Sequence, residues 1–302
     1  MAGPKISSSG DYMVESLFTG LLTGGIYALL ALSYSIIFTT TRVVNFALGE
    51  LIMVAAMVTY SGVAFWEMPF ITALVIGCAI VILINLVIKA AALNRLQKLD
   101  PITALLVTLA FGLLMVTVAQ LIWGTGGAKF PDIFGNVKLF RLGSLAVTSQ
   151  DIAIIVIVAI VLIVVDLIQR KTILGKSMQA AAEDVDACGV VGLNIGRINA
   201  IAFNLAAVLC TVAAVLLAPI AGANIQLGTM VGLKGFAAGI LGGLTRARSA
   251  IFGGLIFGMG ESLAGYFFGG ESKEIIIFVL LMIVLGFRPT GLWGEIEWKR
   301  AA

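Results

Sequence analysis

Two carboxylates stand where an apolar sequence has least use for them: Glu50, in the stretch RVVNFALGEL, and Glu261, in GGLIFGMGE. An ionised carboxylate at bilayer depth costs several kcal/mol unless it faces protein or water, so such a group is either a polar tie between helices or part of a transport route. Gly254, Gly258, Glu261 and Gly265 recur at helical spacing, which turns the Glu261 carboxylate toward a closely packed neighbour or a cavity and away from lipid. Both uses stay open for it. Glu50 comes only a few residues into its apolar run, near the positive end of a helix dipole and within a turn or two of Arg42, where a local tie is the favoured reading. Asp166 and Arg170, four residues apart, are expected to pair.

Other chemistries lack their residues. The chain has no histidine, which removes the commonest general base, the usual zinc ligand and any His-centred triad. HExxH and GxSxG are absent, so an intramembrane hydrolase has no machinery here, and no catalytic, metal or cofactor site is expected. Gly175-Lys176-Ser177 resembles the end of a phosphate-binding loop, but Arg170 occupies the required first glycine position and no strand precedes it. Gly258-Met259-Gly260 lacks the third glycine of a dinucleotide fingerprint and reads as helix packing. Cys78 and Cys210 sit in apolar runs and Cys188 in a polar loop, which offers neither a disulfide framework nor a CxxC metal site.

The elements that position these groups are membrane helices. Of 302 residues 60% are hydrophobic and 12% charged, 35 are glycine, and the mean hydropathy is +1.11, so the chain is an all-α, polytopic membrane helix bundle. The net charge of +3 is scattered, and nucleic acid is not an expected partner. A polar segment, 1–16, precedes a single transmembrane domain, 17–298, and the first apolar run is too long for a signal peptide. Spanning runs are 17–38, 46–66, 69–92, 102–123, 151–168, 198–221, 230–244, 250–268 and 275–287, about nine segments in all. Gly20, Gly24 and Ala28 form a small face on the first, and Ala202, Ala206, Cys210, Ala214 and Ala218 form one on the sixth, which marks that helix as central. The runs at 230–244 and 250–268 are glycine-dense and read as short or broken helices near a transport route.

Lys and Arg set the orientation. With the N-terminus outside, Arg42, Lys89, Arg95, Lys98, Arg170, Lys171, Lys176, Arg197, Arg246, Arg248, Arg288, Lys299 and Arg300 are cytoplasmic, and only Lys5, Lys129, Lys138, Arg141, Lys234 and Lys273 are not. The C-terminus is then cytoplasmic. The longest external loop, 124–150, is placed to cap the outer mouth. The one long polar passage on the inner side is 176–197, KSMQAAAEDVDACGVVGLNIGR, a short helix followed by a glycine-broken turn. It is either a solvated linker or a surface that another protein grips, its small residues allowing close approach and its acidic cluster giving polar register.

Taken in order, GGIYALLALSYSIIF, RVVNFALGEL, AAAEDVDACGVVGLN, LKGFAAGILGG with GGLIFGMGE, and FRPTGLWG resemble the LivH-type permeases of branched-chain amino acid ABC importers, over residues 24–294. The resemblance implies an inner-membrane subunit paired with a LivM-type permease, seated on two cytoplasmic ATPase subunits and supplied with an amino acid by a periplasmic binding protein. It implies that Ala181, Ala182, Glu183, Asp184, Ala187, Gly192 and Asn194 belong to the ATPase-docking loop. It also implies that Asn45, Phe46, Gly49, Glu50, Gly242, Gly243, Gly258 and Glu261 line the translocation route or the bundle interior. Two departures bear on the solute: Leu48 stands where the family often has His, and residues 242–250 read GGLTRARSA in place of the usual GGxGSxxGA turn. An ion-coupled secondary transporter using Glu50 or Glu261 is the alternative, and the sequence shows no inverted hydropathy repeat that would favour it.

Overall fold

The computed structural model describes residues 9–91, 101–131, 133, 135, 137–142 and 145–294. The start of the N-terminal segment, the end of the third apolar run, residues 295–298 of the permease domain, and Lys5, Arg95, Lys98, Lys299 and Arg300 lie outside them.

Two helices make the centre: α1 (Ser9–Thr41) and, further along the chain, a 27-residue helix over Ile195–Ala221. Around them in chain order come α2 (Ala47–Ala64), α3 (Phe70–Lys89), α4 (Pro101–Trp123), a two-stranded hairpin of β1 (Lys138–Leu142) and β2 (Leu145–Thr148), and α5 (Ser149–Lys171). Two short helices follow, α6 (Ile173–Glu183) and α7 (Val185–Val190), then the central α8 (Ile195–Ala221), α9 (Gln226–Gly242), α10 (Ala247–Phe268) and α11 (Lys273–Phe287). Seven of them, α1, α2, α3, α4, α5, α8 and α10, are long and apolar enough to cross a membrane, while α9 and α11, with 17 and 15 residues, are shorter. The hairpin lies in the long 124–150 loop and pairs antiparallel. A bridge between Ala128 and Ala223 pins that loop onto the turn between α8 and α9.

The expected small faces are where the backbones meet most closely. On α8 Ala202, Ala206, Cys210, Ala214 and Ala218 are fully buried, and the helix packs on α1, α2 and α3. On α1 a Cβ added at Gly20 or Gly24 would meet the α10 backbone at Met259 or Leu255, about 3 Å away, and Gly254 and Gly258 abut Ala28 and Gly24 in return. Without a hydrophobic driving force in lipid, such approach gains dispersion contacts that larger side chains would forbid.

Of the short or broken helices expected in the C-terminal half, α9 is short, but α9 and α10 are both continuous. Their glycines serve packing. In α9 Gly228 and Gly232 lie against Gly49, Gly235 against Leu30, and Gly239 against Ala31, so each glycine admits a neighbouring helix without interrupting its own. The chain reverses only at Gly243, whose φ of 109° suits glycine. Leu292 N–H and Trp293 N–H then donate to the carbonyls of Leu241 and Gly242, so the FRPTGLWG segment satisfies the exposed end of α9.

Candidate functional site

At one end of the bundle α5 turns at Thr172, whose side chain caps α6, and the chain crosses to α8 through α6 and α7. Arg42 reaches from the end of α1 and donates to the carbonyl of Ala182 at 2.8 Å, tying α6 to the bundle. Asp184 caps α7 by accepting from Ala187 N–H at 2.9 Å, and Asn194 caps α8 by accepting from Arg197 N–H at 3.0 Å. Ala181 is buried against the bundle, Ala182 half-buried, and Glu183, Asp184, Ala187, Gly192 and Asn194 exposed. Gly192 has a φ of 83°, so it makes the turn into α8. Val190 and Val191 project almost wholly free, at 90% and 80% exposure. The expected Asp166–Arg170 pair is present at 3.1 Å, and Arg248 joins it with two further bonds, linking α5 to the start of α10 at this same end.

The helix α2 begins inside the protein, and the preceding residues supply what its first turn lacks. Phe46 N–H donates to Thr108, and Ala47 N–H to the side chain of Asn45. Asn45 in turn donates to Asn85, which donates to the Phe203 carbonyl at 2.5 Å. Both asparagines are fully buried, so this chain of donors satisfies backbone groups that no water reaches. Phe46 stacks edge-on against Phe236. Gly49 lies flush on Gly228 and Gly232. Glu50 is buried and turns to α9: Oε1 accepts from Thr229 at 2.7 Å, and Oε2 has no hydrogen-bond partner among the described residues. The expected local tie to Arg42 is therefore not made, because Arg42 points out to α6 while Glu50 points across to α9.

Glu261 is buried on the face it shares with Gly254 and Gly258, as its spacing requires; Gly265, a turn further on, faces Lys273. Its partners were not foreseen. Tyr27 of α1 donates to Oε2 at 2.8 Å, and Lys234 of α9 donates to Oε1 at 2.7 Å. Lys234 also donates to Glu274 of α11 at 2.7 Å, while Lys273 stands 4.0 Å from Glu261. Four helices thus meet on one ion network. Lys234, counted with the basic residues of the outer side, is 9% exposed inside α9 and held by two carboxylates; the helix starts at Gln226, earlier than the apolar run. A cavity of about 330 Å³ lies beside this network, reaching the turn between α8 and α9. From Tyr27 to Arg42 α1 runs about 22 Å at 1.5 Å per residue, so network and α6–α7 pair occupy opposite halves. Gly242 and Gly243 are buried in the turn onto α10 and belong to neither.

A family model described as branched-chain amino acid transport system / permease component matches residues 16–285. The chain belongs to this family. It is a multi-pass membrane permease, a subunit of an ABC importer and not an enzyme. Among curated relatives, the high-affinity branched-chain amino acid transport system permease protein LivH of Escherichia coli K12 is 28% identical over 95% of this chain and 97% of its own. BraD of Pseudomonas aeruginosa, named likewise, is 27% identical over the same shares. A probable LivH of Methanocaldococcus jannaschii is 25% identical over 96% of this chain and 95% of its own. A solved structure, PsaBC from Streptococcus pneumoniae in complex with Fab, is 15% identical with a TM-score of 0.47 over 91% of both chains.

In this permease the residues missed at the sequence level are Lys234, Tyr27, Asn85, Thr229 and Arg248. One signal was available: a lysine inside a glycine-dense apolar run needs a buried partner, and Glu261 was the buried carboxylate already in hand.

Proposed function

We propose that this permease forms the membrane path of an ATP-driven importer for a branched-chain or other neutral amino acid. It works as one transmembrane domain beside a LivM-type partner, receives solute from a periplasmic binding protein, and is driven by two cytoplasmic ATPase subunits. The observation that carries this reading is the α6–α7 pair: two short helices anchored on the bundle by Arg42, each capped at its N-terminus, with Val190 and Val191 unburied at the end of α7. Exposed apolar side chains on a capped, rigid corner are what a docking partner covers. Ala182, Glu183, Ala187 and Gly192 form its surface, while Ala181, Asp184 and Asn194 hold its shape.

Nine crossings, with the N-terminus outside and the C-terminus cytoplasmic in the inner membrane, suit the same reading. Arg42, Arg170 and Arg248 gather at the α6–α7 end. Removing the buried Lys234 from the count leaves Lys5, Lys129, Lys138, Arg141 and Lys273 outside, so the basic bias sharpens. Asn45, Phe46, Gly49, Glu50, Gly258 and Glu261 serve the bundle interior beside the route. At Glu261 the ion-coupled alternative loses ground, since that carboxylate is paired with Lys234. The test is reconstitution of both permeases in vesicles with the binding protein, with and without the ATPases: leucine uptake should appear only with ATPases and ATP, and uphill uptake on an ion gradient alone would overturn the reading.

A further inference from the structure

We propose that the cavity beside Lys234 binds the transported amino acid as a zwitterion, within this one permease chain. Its lining combines two kinds of side chain. Lys234, Glu261, Lys273 and Tyr27 supply its charged and polar groups, and Leu217, Leu227, Met230 and Val231 its apolar ones. With Glu274 completing the network, two ammonium and two carboxylate groups meet here, so the site has no net charge but offers both signs. A lone anion or a lone cation would leave such a set unbalanced; a zwitterion does not.

Unused valences point to the same ligand. The Lys234 ammonium has three donors and spends two, on Glu261 and Glu274. Lys273 reaches only 4.0 Å from Glu261, with its side chain 41% exposed, and is available to a carboxylate. Each Glu261 oxygen accepts one bond and keeps a second lone pair for an ammonium. Leu217, Leu227 and Val231 are buried and fixed, and Met230, half exposed at the rim, is an adaptable cover for an aliphatic side chain. A volume of about 330 Å³ is at the lower end of ligand-site sizes, which fits a small amino acid.

This inference rests on the amino-acid import reading, and the experiment separates the two. Full-length chain in lipid nanodiscs is titrated with radiolabelled L-leucine, competed by 4-methylpentanoate, which lacks the ammonium, and by 3-methylbutylamine, which lacks the carboxylate. Saturable binding that neither competitor displaces at tenfold excess is the expected result. Thr23→Phe, which fills the cavity from α1 and alters no group of the ion network itself, and Lys273→Met, at a half-exposed position, should each weaken binding about tenfold or more. The second variant keeps the test alive if the first does not fold. No saturable binding, unchanged affinity in the folded variants, or equal competition by either half-molecule overturns the cavity assignment; ATP-driven leucine uptake by the assembled wild-type complex would then leave the import reading standing. Leucine binding with no ATP-driven uptake in that complex overturns the import reading alone.

Discussion

Replacing Lys234 by Met should destabilise the permease more than any other single change in the ion network. The side chains of Lys234 and Glu261 are 11% and 7% exposed, so solvent screens their attraction little. Without Lys234, Glu261 keeps the Tyr27 hydroxyl and the longer, half-exposed contact to Lys273 at 4.0 Å, so the buried charge loses its close partner at a cost of up to about 3–5 kcal/mol. Glu274 loses the same partner but is 42% exposed and returns to solvent, which adds on the order of 0–1 kcal/mol. Glu261→Gln is milder, because the amide still accepts from Tyr27 and Glu274 continues to neutralise Lys234. Negative charge at position 261 is therefore used for pairing, where polarity alone would have sufficed for an isolated carboxyl. The double variant Lys234→Met with Glu261→Met removes both buried ions, so its loss should fall short of the summed single losses by about 2–3 kcal/mol. SDS-titrated unfolding in mixed micelles, followed by tryptophan fluorescence, measures all four corners of the cycle. Additivity to within about 0.5 kcal/mol would refute the reasoning, since it would mean the two groups do not sense each other.

Gly258→Leu should block assembly of α1 on α10, because its side chain would enter the backbone of Gly24; recovery of folded protein by size exclusion should fall sharply, and normal yield would show the interface to be loose. Asn85→Leu leaves the buried Asn45 side-chain amide without its acceptor and removes the bond that α3 makes to the Phe203 carbonyl, costing about 1–3 kcal/mol in the same unfolding titration, whereas an unchanged midpoint would mean water replaces the bond. Arg248→Ala breaks a pair in which the arginine side chain is 57% exposed and Asp166 retains Arg170, so the expected loss is under about 1 kcal/mol, checked by the same titration.

Much of the bundle was legible because membrane helices announce themselves by length and their contacts by small residues. The Gly20-Gly24-Ala28 face and the alanine stripe of α8 were readable as packing surfaces, and both are. The glycine density of α9 misled, since in lipid the same residue either breaks a helix or lets two helices touch, and only the partner's shape decides; Gly49 opposite Gly228 and Gly232 decides for contact. The hairpin at Lys138–Thr148 was hidden in a loop whose strands are five and four residues long. Side-chain partners across helices were the least legible. The position of Glu261 followed from its own helix, but Tyr27 and Lys234 are 234 and 27 residues away, and nothing local specifies them. Asp184 and Asn194 carried a visible polar signal whose use is internal: they cap helices, and the free surface beside them is made by Val190 and Val191.

The coupling to ATPases proposed for the α6–α7 corner is tested most directly at its two exposed valines. The double substitution Val190→Asp and Val191→Asp alters side chains that are 90% and 80% exposed, so the bundle keeps its buried contacts. Leucine uptake should be measured in proteoliposomes holding both permeases, both ATPases and the binding protein, with ATPase co-purification scored on the same preparation. The variant should fold normally, lose the ATPases and lose ATP-driven uptake together; full uptake with the ATPases still bound would show that this corner is not the docking surface.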